Sequence, residues 1–149
     1  RAELERAIAI DPDFAPASVN LADLDRATGR DADAERVLRE ALARAPDVAA
    51  LQYALGLALV REHRPADAVE ALGRAAHLAP DQPHYGYVLA VALHDTGQRP
   101  AAVHELEDVL RTHPEDQDAL DALDAYRREA DDAPVTRAPA RRARARARR

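Results

Sequence analysis

Six histidines, one serine, four threonines and a short run of acids are the side chains of this 149-residue sequence whose types suit metal binding or catalysis. His63, His77, His84, His94, His104 and His113 contain no pair at the three- or four-residue helical spacing that would aim two imidazoles at one metal ion. They read as surface or groove residues. Asp31, Asp33 and Glu35 alternate as in a calcium loop but lack its central Gly and distal Glu. They read as acids that cap a helix start and favour its dipole. Hydrolytic or transfer chemistry needs a nucleophile or base held by a partner, and a lone Ser18 without Cys or a Gly-rich phosphate loop does not supply it. No catalytic activity, metal or cofactor is expected, so the functional expectation turns to surface recognition.

The elements that would present such a surface are helices. Apolar residues make up 47% of the chain but aromatics only 3%, so a core must be assembled mainly from Ala, Leu and Val. All 21 basic residues are Arg, and Ala fills 36 positions, the bias of a GC-rich, bacterial genome. The absence of Cys excludes disulfides and thiolate ligation within the chain and leaves bacterial cytoplasm and periplasm both open. The longest mainly apolar stretch, Val48 to Val60, falls well short of the roughly 20 residues that cross a bilayer. The chain opens at Arg1 inside a helical pattern, so an upstream segment is expected.

The order of those helices is written in a repeat. Pro12, Pro46, Pro80 and Pro114 follow one another at intervals of 34 residues. The same interval aligns Leu21, Leu55, Leu89 and Leu123, and also Leu4, Leu38, Leu72 and Leu106. Small residues share further columns: Ala22, Gly56 and Ala90; Ala34, Ala68 and Ala102; Ala7, Ala41 and Ala75, followed by Val109. Apolar spacing within each unit is helical, which gives two helices per repeat, with Gly29 and Gly97 at the break between them and His63 in the corresponding place. Helices are predicted near 1–10, 15–28, 32–45, 49–62, 66–79, 83–96, 100–113 and 117–130.

These columns resemble the tetratricopeptide repeat, on Leu55-Gly56, Ala68, Ala75 and Pro80 above all. The resemblance implies an all-α solenoid, a right-handed superhelix of antiparallel helix pairs. It divides the chain into the second helix of a truncated repeat (1–14), full repeats at 15–48, 49–82 and 83–116, a capping helix at 117–132 and a basic tail at 133–149. Ser18, Gln52, Gly86 and Leu120 stand where the family has a large aromatic, so thinner packing is expected there. Asp124 stands where the earlier repeats have Ala or Gly, which suits a solvated cap. At the other end, Leu4 and Ile8 are expected to be partly uncovered.

The resemblance further implies a concave groove lined by the first helix of each repeat. Its residues here are Val19, Asp23 and Arg26; Tyr53, Leu57, Val60 and Arg61; and His84, Tyr87, Val91 and His94. Tyr53 and Tyr87 are equivalent positions one repeat apart and are expected either to contact an extended peptide or helix or to pack between neighbouring helices. Arg26, Arg61 and His94 would orient a polar or acidic partner. The carboxylate clamp of some family members is absent: Asn20 has a suitable amide, but the other places hold Val19, Asp23, His84 and Val88. The implied function is a non-catalytic scaffold for a protein or peptide partner. A weaker resemblance, over Tyr85 to Gly97, is to arrays that follow bacterial multihaem cytochrome domains, which would make the chain an accessory segment of a larger protein.

Residues 134–149 are a different physical object. They carry seven Arg and no acid, whereas residues 1–133 carry 14 Arg against all 27 acids. Arg141, Arg142, Arg144, Arg146, Arg148 and Arg149 alternate with Ala, leave no apolar face, and predict disorder. Such a tail could fold back on the acidic body, or attract nucleic acid or anionic lipid without base specificity.

Overall fold

The computed structural model describes residues 1–132. Eight helices and no strand are found among them: α1 Ala2–Ile10, α2 Ala15–Ala27, α3 Asp31–Arg44, α4 Ala49–Arg61, α5 Pro65–Leu78, α6 Pro83–Asp95, α7 Arg99–Thr112 and α8 Gln117–Asp132. Each lies within two residues of its predicted span. The disorder predicted for 133–149 falls on residues outside those described.

The prolines and glycines set the two kinds of turn. Asp11, Ala45, Ala79 and His113 each precede a repeat proline, and all four have φ between −130 and −135°. This is the extended conformation a following proline imposes, and it ends the helix there. The turns inside the pairs close differently. The amide of Gly29 donates to Arg26 O and that of Arg30 to Asp25 O, a paired closure repeated by His63 and Arg64 onto Val60 and Leu59, and by Gly97 and Gln98 onto His94 and Leu93. It requires a left-handed residue, supplied by Gly29 (φ 74°), Gly97 (φ 80°) and His63 (φ 57°). His63 therefore adopts the glycine conformation at a steric cost that Gly would not incur.

Helices pack on their chain neighbours in succession, and α2 also meets α4, so the core runs along the stack. Ala22, Ala34, Leu38, Leu51, Leu55 and Ala58 belong to one buried cluster, and Leu72, Leu89, Leu93 and Ala102 to the next. Ala90, Leu106, Val109, Ala119 and Leu123 form a third. The small-residue column is a set of close approaches: a Cβ on Gly56 would lie 2.6 Å from Cγ of the fully buried Leu72.

Of the four positions where thinner packing is expected, Ser18, Gln52 and Gly86 each line a surface cleft, of about 170, 230 and 340 Å³, and Leu120 is exposed. Ser18 and Gln52 are themselves buried. Gly86 is approached by α7, where a Cβ would meet Val109 Cγ2 at 2.4 Å. Leu4 and Ile8 are half-buried, while Ile10 and Phe14 are exposed.

Asp25 was not singled out by the sequence, yet it is fully buried in the column that holds Leu59 and Leu93. Arg30 donates to Asp25 Oδ1 from Nη2 at 2.8 Å and Nε at 3.0 Å, and Arg1 joins the same oxygen. Removing one member of such a group leaves a buried charge short of a partner, whereas a well-fitting apolar residue avoids the desolvation altogether. In thermal melts followed by circular dichroism, Gly56→Ala lowers stability by ~1–3 kcal/mol through overpacking. His63→Gly raises it by up to ~1 kcal/mol. Equal melting temperatures for both variants and the parent chain would contradict these packing and turn assignments.

Candidate functional site

Because the first helices repeat at a fixed interval, like positions on α2, α4 and α6 share one face. Val19, Tyr53 and Tyr87 occupy one register, Asp23, Leu57 and Val91 a second, and Arg26, Val60 and His94 a third. The structure joins several of these residues directly. The Tyr53 hydroxyl lies 2.9 Å from His84 Nε2, and the Tyr53 ring stacks on Tyr85 with centroids 4.6 Å apart. His84 continues onto Tyr87 at 6.2 Å. Further along, the His94 ring lies flat on Tyr126 of α8 at 3.9 Å, and His94 Nε2–H donates to Glu129 Oε2 at 2.8 Å. Tyr87 and Tyr126 pack against the same buried cluster. All four tyrosines of the chain thus belong to one strip crossing α4, α6 and α8.

The remaining sequence-predicted residues are placed around this strip. Val19 packs half-buried against the first core cluster, and Leu57 and Val91 are also half-buried. Val60 is 48% exposed and lines a cleft of about 240 Å³ with His63, Pro65, Ala68, Ala92 and Asp95. Asp23 and Arg26 are ion-paired within α2. Arg61 is held by Asp31 of α3, with Nε 2.7 Å from Oδ1. Tyr53 packs on a core cluster and stacks on Tyr85 of the neighbouring α6, the second of its two expected roles. Arg141, Arg142, Arg144, Arg146, Arg148 and Arg149 lie outside the described residues.

Tyr85, Tyr126 and Glu129 were missed by the sequence reading. Tyr85 falls in the column of Ala17, Leu51 and Ala119, all buried, and Tyr126 in that of Ala58 and Ala92. Their columns signal packing, and only the length of a tyrosine carries the ring outward into the strip.

The strip is electrostatically graded. Burial, then the neighbouring Tyr85, pushes the Tyr53 phenol above its ordinary range, with Asp23 adding to the rise and Arg26 opposing it. Tyr126 is raised likewise by burial, then by Asp95, Tyr87 and Glu129. Among the described residues no group of three or more His, Asp or Glu is placed to hold a metal ion, and no helix is long and apolar enough to cross a membrane. The single serine is buried.

A family model of the tetratricopeptide repeat matches residues 1–58 and 59–126. The chain belongs to the tetratricopeptide repeat family. Its fold is accordingly a right-handed solenoid of antiparallel helix pairs. Among solved structures, MamA matches at 20% identity over 86% of this chain and 75% of its own, with a TM-score of 0.75. YrrB, described as a TPR protein with an unusual peptide-binding site, matches at 20% identity over 89% and 69%, with a TM-score of 0.71. The first TPR of Spaghetti (RPAP3), solved with an HSP90 peptide bound, matches at 16% identity over 78% and 95%, with a TM-score of 0.70. An O-GlcNAc transferase of Thermobaculum terrenum matches at 26% identity over 74% of this chain but 21% of its own, with a TM-score of 0.63. Likeness at the lower identities is one of fold. No curated protein sequence matches the chain.

The raised phenols of this TPR array give a pH signature. An acid whose pKa is raised by folding holds its proton longer in the native state, so its contribution to stability is present below the unfolded value and lost as pH rises through the folded one. Phenolate absorbance should therefore appear at higher pH in the native chain than in denaturant, and stability should decline above about pH 10. Tyr53 and Tyr126 titrating at the denatured value would contradict their burial in the strip.

Proposed function

We propose that the chain is a non-catalytic interaction scaffold that holds an extended peptide or helix of a protein partner in its concave groove. The observation that carries the reading is the gathering of all four tyrosines, with His84 and His94, into one strip across three helices. Tyrosine offers wide amphipathic contact at low entropy cost, and aromatic anchors dominate binding energy in peptide and protein interfaces. Tyr53, Leu57, Tyr87 and Val91 supply the contact area, and Arg26 and His94 at its edges orient polar groups of the ligand. Arg26, paired with Asp23, and Arg61, paired with Asp31, take part only by exchanging those partners. The recognition units are the repeats at 15–48, 49–82 and 83–116, flanked by the helices of 1–14 and 117–132.

The bound peptide of RPAP3 and the peptide-binding site named for YrrB support a peptide as ligand. The chain departs from carboxylate-clamp recognition, because Val19, Asp23, His84 and Val88 carry no cationic fork for a terminal carboxylate. A second reading, an array that positions another domain of a longer protein, is supported by the transferase, of whose length the match covers only 21%.

Peptides selected from a displayed library on the full chain provide the test. Tyr53→Ala and Tyr87→Ala should each weaken binding about tenfold, the effect of losing a hot-spot aromatic. Arg74→Ala, an exposed residue of α5 that pairs with Glu70, should leave affinity unchanged. Undiminished binding by both tyrosine variants would overturn the groove reading.

A further inference from the structure

The groove has an occupant available within the same chain. We propose that the Arg-rich segment 137–149 docks in the concave groove as an intramolecular competitor of the partner peptide. The inference rests on the groove reading above and names the ligand chemistry the strip accepts, an extended arginine-rich segment.

Three observations point to this occupant. The first is where the described chain stops. The α8 helix is described to Asp132, one turn beyond Glu129, and Glu129 and Tyr126 are the residues of α8 that meet His94 on α6. The segment that follows Asp132 is therefore tethered beside one end of the strip. Residues 133–141 span up to about 30 Å when extended, and packed helices lie about 10 Å apart. That length carries the first arginines of the run from α8 past α6 to α4.

The second observation is charge. At the α8 end the strip is flanked by Asp95 and Glu129, both facing the His94 ring, at 3.8 Å from Nδ1 and 2.8 Å from Nε2. Asp121 occupies the register of Tyr53 and Tyr87 and makes no ion pair among the described residues. At the other end Asp23 is already ion-paired with Arg26. The groove cations are already engaged, Arg26 by Asp23 and Arg61 by Asp31. The segment that follows brings seven Arg and no acid.

The third observation is chemical match. Guanidinium groups stack on tyrosine faces and pair with carboxylates in the same plane. Arg142, Arg144, Arg146 and Arg148 alternate with Ala. An extended backbone puts alternate residues on one side at intervals of about 7 Å, so these four arginines face a single surface together. Alanine between them keeps the strand slender enough for a groove. A tethered segment also binds at an effective concentration in the millimolar range, so individually weak contacts suffice.

The test compares the full chain with a full-length variant carrying Arg→Ser at 141, 142, 144, 146, 148 and 149, using ring resonances of labelled tyrosine and histidine. Neutralising the segment should shift Tyr53, Tyr85, Tyr87, Tyr126 and His94. High salt should move the parent chain toward the same positions, and the selected peptides should bind the variant about tenfold more tightly. In the otherwise unmodified chain, Asp95→Asn with Glu129→Gln should produce part of the same shift at the α8 end. Unchanged ring resonances, or shifts confined to histidines of the second helices such as His77 on α5 and His104 on α7, would overturn the docking. Shifts that disappear on dilution would overturn it in favour of the segment of a second copy. Peptides that still need Tyr53 and Tyr87 but bind parent and variant equally would end this inference and leave the groove reading intact. Peptides indifferent to the tyrosines would end the groove reading instead.

Discussion

The structure depends on one contact made once in each helix pair: a fully buried leucine of the second helix seated against a residue of the first helix too small to hold it away. Leu72 approaches Gly56 so closely that no Cβ could be added there without displacing it. Leu38 shares a cluster with Ala22, and Leu106 with Ala90, and all four are fully buried. In a core nearly devoid of aromatic rings, volume comes from this close approach. Repeating it at a constant interval keeps α2, α4 and α6 in matching register, and that register places Tyr53 and Tyr87 on one face. The groove is thus a consequence of how the opposite sides of the same helices pack.

Chain spacing made most of this visible. Proline marks the end of each second helix because the residue before it cannot stay helical, a local steric rule that needs no tertiary information. The glycine column located the left-handed turns, and His63 accepts the same conformation because its amide and that of Arg64 are captured by Val60 and Leu59. Columns could not show where long side chains reach. Tyr85 sits among core positions and Tyr126 among alanines, yet both rings enter the strip. Arg61 was legible as a groove position, but its pairing with Asp31 depends on how α3 and α4 pack. Asp25 was illegible for a related reason: an acid in a leucine column is tolerated only where Arg30 and Arg1 come within reach.

The missing large aromatics at Ser18, Gln52 and Gly86 show how the fold tolerates loss of volume. The backbone stays in register: α7 closes in on Gly86 until a Cβ would meet Val109, and each of the three positions lines a cleft open to solvent. These clefts are lined by charged residues, among them Glu105, whose carboxyl is pushed up by burial and then by Asp108. The strip differs in kind: two hydrogen bonds link its own residues, Tyr53 with His84 and His94 with Glu129. Rings held in this way would lose little freedom on binding the proposed peptide.

The most direct measurement of the central claim is a set of intermolecular nuclear Overhauser effects between one selected peptide and the labelled tyrosine rings of the full chain. A single bound peptide should show contacts to Tyr53 on α4, Tyr87 on α6 and Tyr126 on α8, in an order that follows its sequence. Contacts only to residues of the clefts, such as Gly86 and Thr112, with none to the tyrosine rings, would contradict the account.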